Sequence, residues 1–135
     1  DEEGAHMHDM LELESVMWDA IHAHASLLHR LRGLPGADPV PQGLAALQPA
    51  KGPPEEPAAA HPEWPALRRC YRLSFAIAPL LADVSLDEAL MRAESVEGRL
   101  RMGLGVLMTR NARLAAELSL RDAMEGQTFG DEDED

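Results

Sequence analysis

Apolar residues recur in steps of three and four along most of this chain, which is the signature of helices that bury one face. From Asp9 to Arg32, the positions Met10, Leu13, Met17, Ala20, His24, Leu27 and Leu31 keep that alternation without a slip. The spacing predicts a first helix over about 9–32. Gly33, followed by Pro35 and Gly36, supplies its stop, and Arg30 and Arg32 suit the negative end of its dipole. A second helix is predicted over about 65–83. It opens at Pro65, is apolar on nearly every side through "LSFAIAPLLA", and should kink at Pro79. The third begins at "SLDE", where Ser85 and Glu88 have the spacing of a capping box. Its seam of Leu86, Leu90, Ala93, Glu97, Leu100, Leu104, Leu107, Asn111, Leu114 and Leu118 predicts one long helix over about 86–125. Gly98, Gly103 and Gly105 weigh against its continuity, since each costs roughly 1 kcal/mol relative to alanine inside a helix.

Between the first two helices the pattern stops. Nine of the ten prolines lie within residues 33–65, so this stretch reads as a Pro-rich connection with at most a short turn at "QGLAALQ". No alternating run suggests a strand. The fold class is therefore all-α: a bundle of three helices, or four if the long one breaks, forming a single domain over 9–126. Residues 1–8 read as an unstructured start, in which "GAHM" resembles the remnant of a cleaved affinity tag. Residues 127–135 read as a disordered acidic tail.

Two short helices cannot cover the whole seam of a third one this long. The second helix also carries more apolar surface than two neighbours can bury. Both features lead us to expect self-association as a dimer, or a helical protein partner, through Leu73, Phe75, Ile77, Leu80, Leu100, Leu104, Leu107 and Asn111. A polar seam residue such as Asn111 is costly unless it meets a mate, so it would set register. Trp64, between prolines in "HPEWP", is a further anchor, either for the connection itself or for a partner.

Composition alters this picture only in part. The net charge is −12, but eight acids sit in residues 1–3 and 131–135. A phosphate-binding protein needs a basic face, so no direct nucleic-acid contact is expected. The absence of a long apolar run predicts no membrane span. The single cysteine, Cys70, excludes an internal disulfide framework, and reads as a buried, inert thiol in a cytoplasmic protein. Arginine outnumbers lysine eleven to one, as in proteins of high-GC bacteria.

Candidate chemistry is sparse. His8, Glu12, Ser15, Asp19, His22, Ser26 and His29 share one polar stripe of the first helix, and His24 lies in its seam. Asp19 and His22, three residues apart, are able to converge on a divalent metal, with His24 and His29 as further ligands. The stripe reads first as a solvated face, and no cofactor is expected. We find no nucleophile elbow, phosphate loop or acid–base pair. The sequence thus points to a non-enzymatic helical interaction protein, such as an adaptor, a small assembly or secretion chaperone, or an inhibitor. A metal-binding bundle is the alternative. An acidic mimic that engages a nucleic-acid-binding protein through the tail is a weaker one.

Overall fold

A computed structural model describes residues 2–33, 40–49 and 64–132. The side chains of 2–6, Gln42, Trp64, Pro65 and 127–132 lie outside that description. The described residues form six helices and no strand: α1 (Glu2–Arg32), α2 (Gln42–Ala45), α3 (Trp64–Leu73), α4 (Ile77–Leu81), α5 (Val84–Arg92) and α6 (Val96–Glu132). The all-α bundle expected from the pattern is what the chain adopts. None of these helices is long and apolar enough to cross a membrane.

The frame is the pair α1 and α6, which make the most extensive contact in the molecule. Met17 packs beside Gly103, His24 beside Asn111, and the end of α1 beside Arg121, so partners advance together and the helices run parallel. A parallel pair needs a return crossing, and the segment from α2 to α5 provides it. α3 packs on both long helices, and α4 and α5 pack on each other and on α6. The core gathers Met10, Met17, Trp18 and Ile21 of α1, Leu73 and Ile77 between the layers, Leu86 and Leu90 of α5, and Leu100 and Leu107 of α6.

The buried column of α1 is Met7, Met10, Glu14, Met17, Ile21 and His24, again in steps of three and four. It shares Met10, Met17 and His24 with the expected seam. Its companion positions are Glu14 and Ile21 in place of Leu13 and Ala20, which are only partly buried. The acid at 14 disguised this phase. The helix also starts at Glu2 rather than near residue 9, and Met7 joins the core, so residues 2–8 are not an unstructured start.

Three further expectations are corrected. The helix expected over 65–83 is broken into α3 and α4 by a turn at Ser74–Ala76, not merely kinked at Pro79. The ring of Pro79 is incompatible with a helical carbonyl four residues earlier, at Phe75. In the first turn of a new helix its missing N–H costs nothing. α4 then ends in a left-handed Ala82 (φ 52°), with Asp83 N–H on the Ala78 carbonyl at 2.9 Å and Ala82 N–H on that of Pro79 at 3.2 Å.

The helix expected over 86–125 is two helices. Asp83, not Ser85, caps α5 by accepting from the Leu86 N–H at 2.9 Å. The chain leaves helical geometry at Ala93 (ψ 136°), and Ser95 caps α6 by accepting from the Gly98 N–H at 2.9 Å. Both helices present apolar residues at the same spacing, so periodicity passes through the break unseen. From Val96 onward α6 is continuous through Gly103 and Gly105, and it runs to Glu132, past the Gly126 where a tail was expected. Residues 133–135 lie outside the described residues.

The Pro-rich connection is partly folded onto the bundle. Leu44 of α2 is buried, with Val40 and Leu47 packed against the core. Residues 34–39 and 50–63 lie outside the described residues.

Two glycines inside α6, Gly103 and Gly105, differ in what surrounds them. A Cβ at Gly103 would lie 3.2 Å from Ile77 Cγ1, whereas one at Gly105 would meet nothing within 4 Å. We therefore expect Gly105→Ala to stabilise the protein by about 0.5–1 kcal/mol through helix propensity alone. Gly103→Ala should forfeit that gain against the immobile Ile77 and be neutral or destabilising. Urea titrations of the two variants followed by circular dichroism test this ordering.

Candidate functional site

Four polar connections hold the frame, and each uses side chains that a surface function would otherwise have free. Asn111 lies between α1 and α6. Its Oδ1 accepts from His24 Nδ1 at 2.9 Å, and its Nδ2 donates to the Ala20 carbonyl at 2.9 Å. The mate that a seam asparagine requires is thus supplied by the chain itself. Farther along, Arg121 donates to the carbonyls of Leu31 at 2.8 Å and Arg30 at 3.0 Å. Both carbonyls lie in the last turn of α1, where that of Arg30 also accepts from the Gly33 N–H at 3.1 Å, so a side chain of α6 helps to cap its neighbour.

Glu14 is only 2 % exposed, and faces Arg69 of α3 in a two-pronged pair, Arg69 Nε to one carboxylate oxygen and Nη2 to the other at 2.8 Å. The hydrogen bond that Arg69 donates to Glu14 holds its guanidinium above the ordinary pKa, against the opposing effect of burial. Arg99, 8 % exposed, donates to Ser74 Oγ at 3.0 Å and to the Ala93 carbonyl at 3.2 Å. Its guanidinium lies 4.4 Å from the centre of the Phe75 ring and 5.4 Å from that of Tyr71. It therefore joins the α3–α4 turn to the start of α6.

Cys70 is fully buried next to the Glu14–Arg69 pair. Burial first, and the Glu14 charge second, push its thiol up from 9.0 to about 11, while Arg69 pulls weakly the other way. The neutral thiol is the inert form.

The histidines divide. His8 pairs with Glu12 at 3.1 Å on the exposed stripe. His22 lies with its ring 5.9 Å from that of Trp18 and its Nε2 3.1 Å from Gln48 Nε2. With Asp19, Ser15 and Glu14 it lines a groove of about 450 Å³ between α1 and the residues just after α2. His24 faces α6, away from that groove. His29 has both ring nitrogens buried with no hydrogen-bond partner among the described residues. Asp19, His22, His24 and His29 are thus not one ligand set. No group of three metal-binding side chains occurs among the described residues.

The residues expected to meet a partner are instead the chain's own core. Leu73, Ile77, Leu100 and Leu107 are fully buried, and Phe75, Leu80 and Leu104 pack against them. Breaking the second and third helices creates short pieces that surround one another, which is how a single chain covers these faces. The side chain of Trp64 lies outside the described residues.

The large apolar side chains left in solvent are others. On α6 these are Met102, Met108, Leu120 and Met124, on α5 Val84 and Met91, on α1 Leu11 and Val16, and on α3 Tyr71. The outward face of α6 also carries Gly105, Thr109, Ala112, Ala116, Ser119 and Ala123, all exposed. Sequence reading assigned α6 a single seam and gave this second stripe no weight, because small residues carry little hydropathy. Their unbroken four-three spacing was the available signal.

No family model matches the chain, and neither does any curated protein or solved structure.

Two outcomes follow from the buried pair and the thiol. Arg69→Met leaves the Glu14 carboxylate buried alone and should cost roughly 3 kcal/mol, while Glu14→Leu combined with Arg69→Met should restore most of the loss, read by urea denaturation. Because the folded thiol titrates near 11 and the unfolded one near 9, Cys70 contributes stability that is intact below pH 9 and is lost as pH rises to 11. The wild-type protein should therefore lose more stability than Cys70→Ala across that window, by on the order of 2 kcal/mol.

Proposed function

We propose that this protein is a non-enzymatic helical interaction module whose contact surface is the outward face of α6. The observation that carries the reading is the set of exposed apolar side chains on that helix, with Met108 at 56 % and Leu120 at 64 % exposure. They flank the small-residue stripe, Met102, Leu120 and Met124 along one edge and Met108 along the other. Exposed apolar side chains on a helix are the usual mark of a partner site. The rest of the molecule serves as its support. α1 lies parallel to α6 and is tied to it at His24, Ala20, Arg30 and Leu31, so the contact face is held on a rigid pair.

The buried polar groups support the same reading. Catalytic sites poise such groups for proton transfer or attack. Here Glu14 is engaged by Arg69, His24 by Asn111, and the Cys70 thiol is held in its protonated form.

A photo-reactive amino acid placed at Met108 or Ala112 in living cells tests the assignment. Cross-linked products are expected from both positions and not from Val16, an exposed site on α1. No product from α6, or equal products from all three sites, would overturn it.

A further inference from the structure

This inference rests on the assignment of α6 as the contact face and names its occupant. Gly105, Thr109, Ala112, Ala116, Ser119 and Ala123 follow one another in steps of four and three, and all are exposed. Their order is symmetric about Leu114. A second α6 laid antiparallel across a two-fold axis at that point sets Gly105 opposite Ala123, Thr109 opposite Ser119, and Ala112 opposite Ala116. Each layer then joins two small residues, so the helices can approach to the short end of the usual 8–10 Å interaxial range.

Charge reverses at the same point. Residues 98–115 contain four arginines and no acid, whereas 116–132 contain five acids and one arginine. With Glu97 at its start, the two halves of α6 carry +3 and −4. Parallel pairing would set like against like, while antiparallel pairing sets each half against its opposite. Arg113 has no acid within ion-pair distance among the described residues, and Glu117 of a second copy would lie within reach of it on the adjoining flank. The surface also has a receptacle. A shallow groove of about 440 Å³ runs along Met102, Gly105, Val106 and Thr109. In the antiparallel register the exposed Leu120 of the second copy comes opposite Val106, at that groove.

We infer that α6 docks antiparallel on α6 of a second copy, about a two-fold axis at Leu114. The layers from Gly105 to Ala123 make the contact ~27 Å long, and with the flanking side chains it covers on the order of 500 Å² of accessible surface per copy, at the small end of specific interfaces. The dimer is consequently reversible, with a dissociation constant on the order of 10–100 µM.

Sedimentation velocity of the full chain over about 1–300 µM, around that dissociation constant, should show a monomer–dimer equilibrium. Added salt should weaken it, because the opposed charges are exposed. Ala112→Glu, an exposed substitution whose folding is checked by circular dichroism, should weaken association at least about tenfold by placing an unpaired charge at the axis. Orientation is read separately. Thr109→Cys mixed with Ser119→Cys should form a disulfide-linked dimer on mild oxidation, while Thr109→Cys alone should not. Cys70 is buried and stays out of the reaction. A chain monomeric throughout, a dimer indifferent to Ala112→Glu, or a Thr109→Cys variant that links to itself would each overturn the inference. A monomeric chain whose Met108 photo-product contains a different protein also overturns it, but leaves α6 as the contact face. A photo-product within the same chain overturns both.

Discussion

The parallel register of α1 and α6 is the constraint on which the remaining structure depends. Asn111 sets it by satisfying both ends of its amide on one turn of α1, with His24 at one end and the Ala20 carbonyl at the other. A slip of one helical turn would leave a buried histidine and a buried amide without partners, at a cost of about 1–3 kcal/mol for each orphaned group. Arg121 repeats the constraint one heptad and a half farther on, where it donates to the last-turn carbonyls of α1. With these two points fixed, the helices cannot slide, and Met17 meets the gap in α6 at Gly103.

A parallel pair has to be joined by a crossing segment, and this explains why the middle of the chain is broken into short helices. α3, α4 and α5 fill the space against the first halves of α1 and α6, and polar links secure each end of that filling. Glu14 and Arg69 hold α3 to α1, Arg99 and Ser74 hold the α3–α4 turn to α6, and Arg110 lies 3.6 Å from Asp83 where α5 begins. The buried Glu14–Arg69 pair contributes little net stability against an apolar replacement, but it disfavours other arrangements strongly because a lone buried charge is so costly. The second half of the pair has fewer described neighbours, and Leu27, Leu28, Leu31 and Leu114 are only partly buried there.

The same division of labour accounts for the outward face of α6. Its inward positions face α1 and the short helices, fully buried at Leu100 and Leu107 and partly at Leu104 and Leu114, while its outward stripe contributes nothing to the monomer's core. Small residues, exposed methionine and leucine, and a charge reversal at mid-helix are then features that the fold itself does not require. They are the basis on which we assign this face to association.

Much of the fold was legible in the chain. Three-four periodicity and the absence of alternation determined an all-helical bundle, the stop of α1 at Gly33, the inward placement of Asn111, and the burial of Cys70, because these depend on local spacing and hydropathy. Tertiary structure alone decided what depended on distant partners. Glu14 is buried because Arg69, fifty-five residues away, neutralises it, so no local rule could choose the Glu14–Ile21 phase over that of Leu13 and Ala20. Leu73, Ile77, Leu100 and Leu107 read as surplus apolar surface until the chain folded short helices around them. The contact surface we propose moved accordingly, from the most hydrophobic stripe of the long helix to its small-residue one. Periodicity reports which face of a helix is apolar, but only packing decides whether that face is already covered.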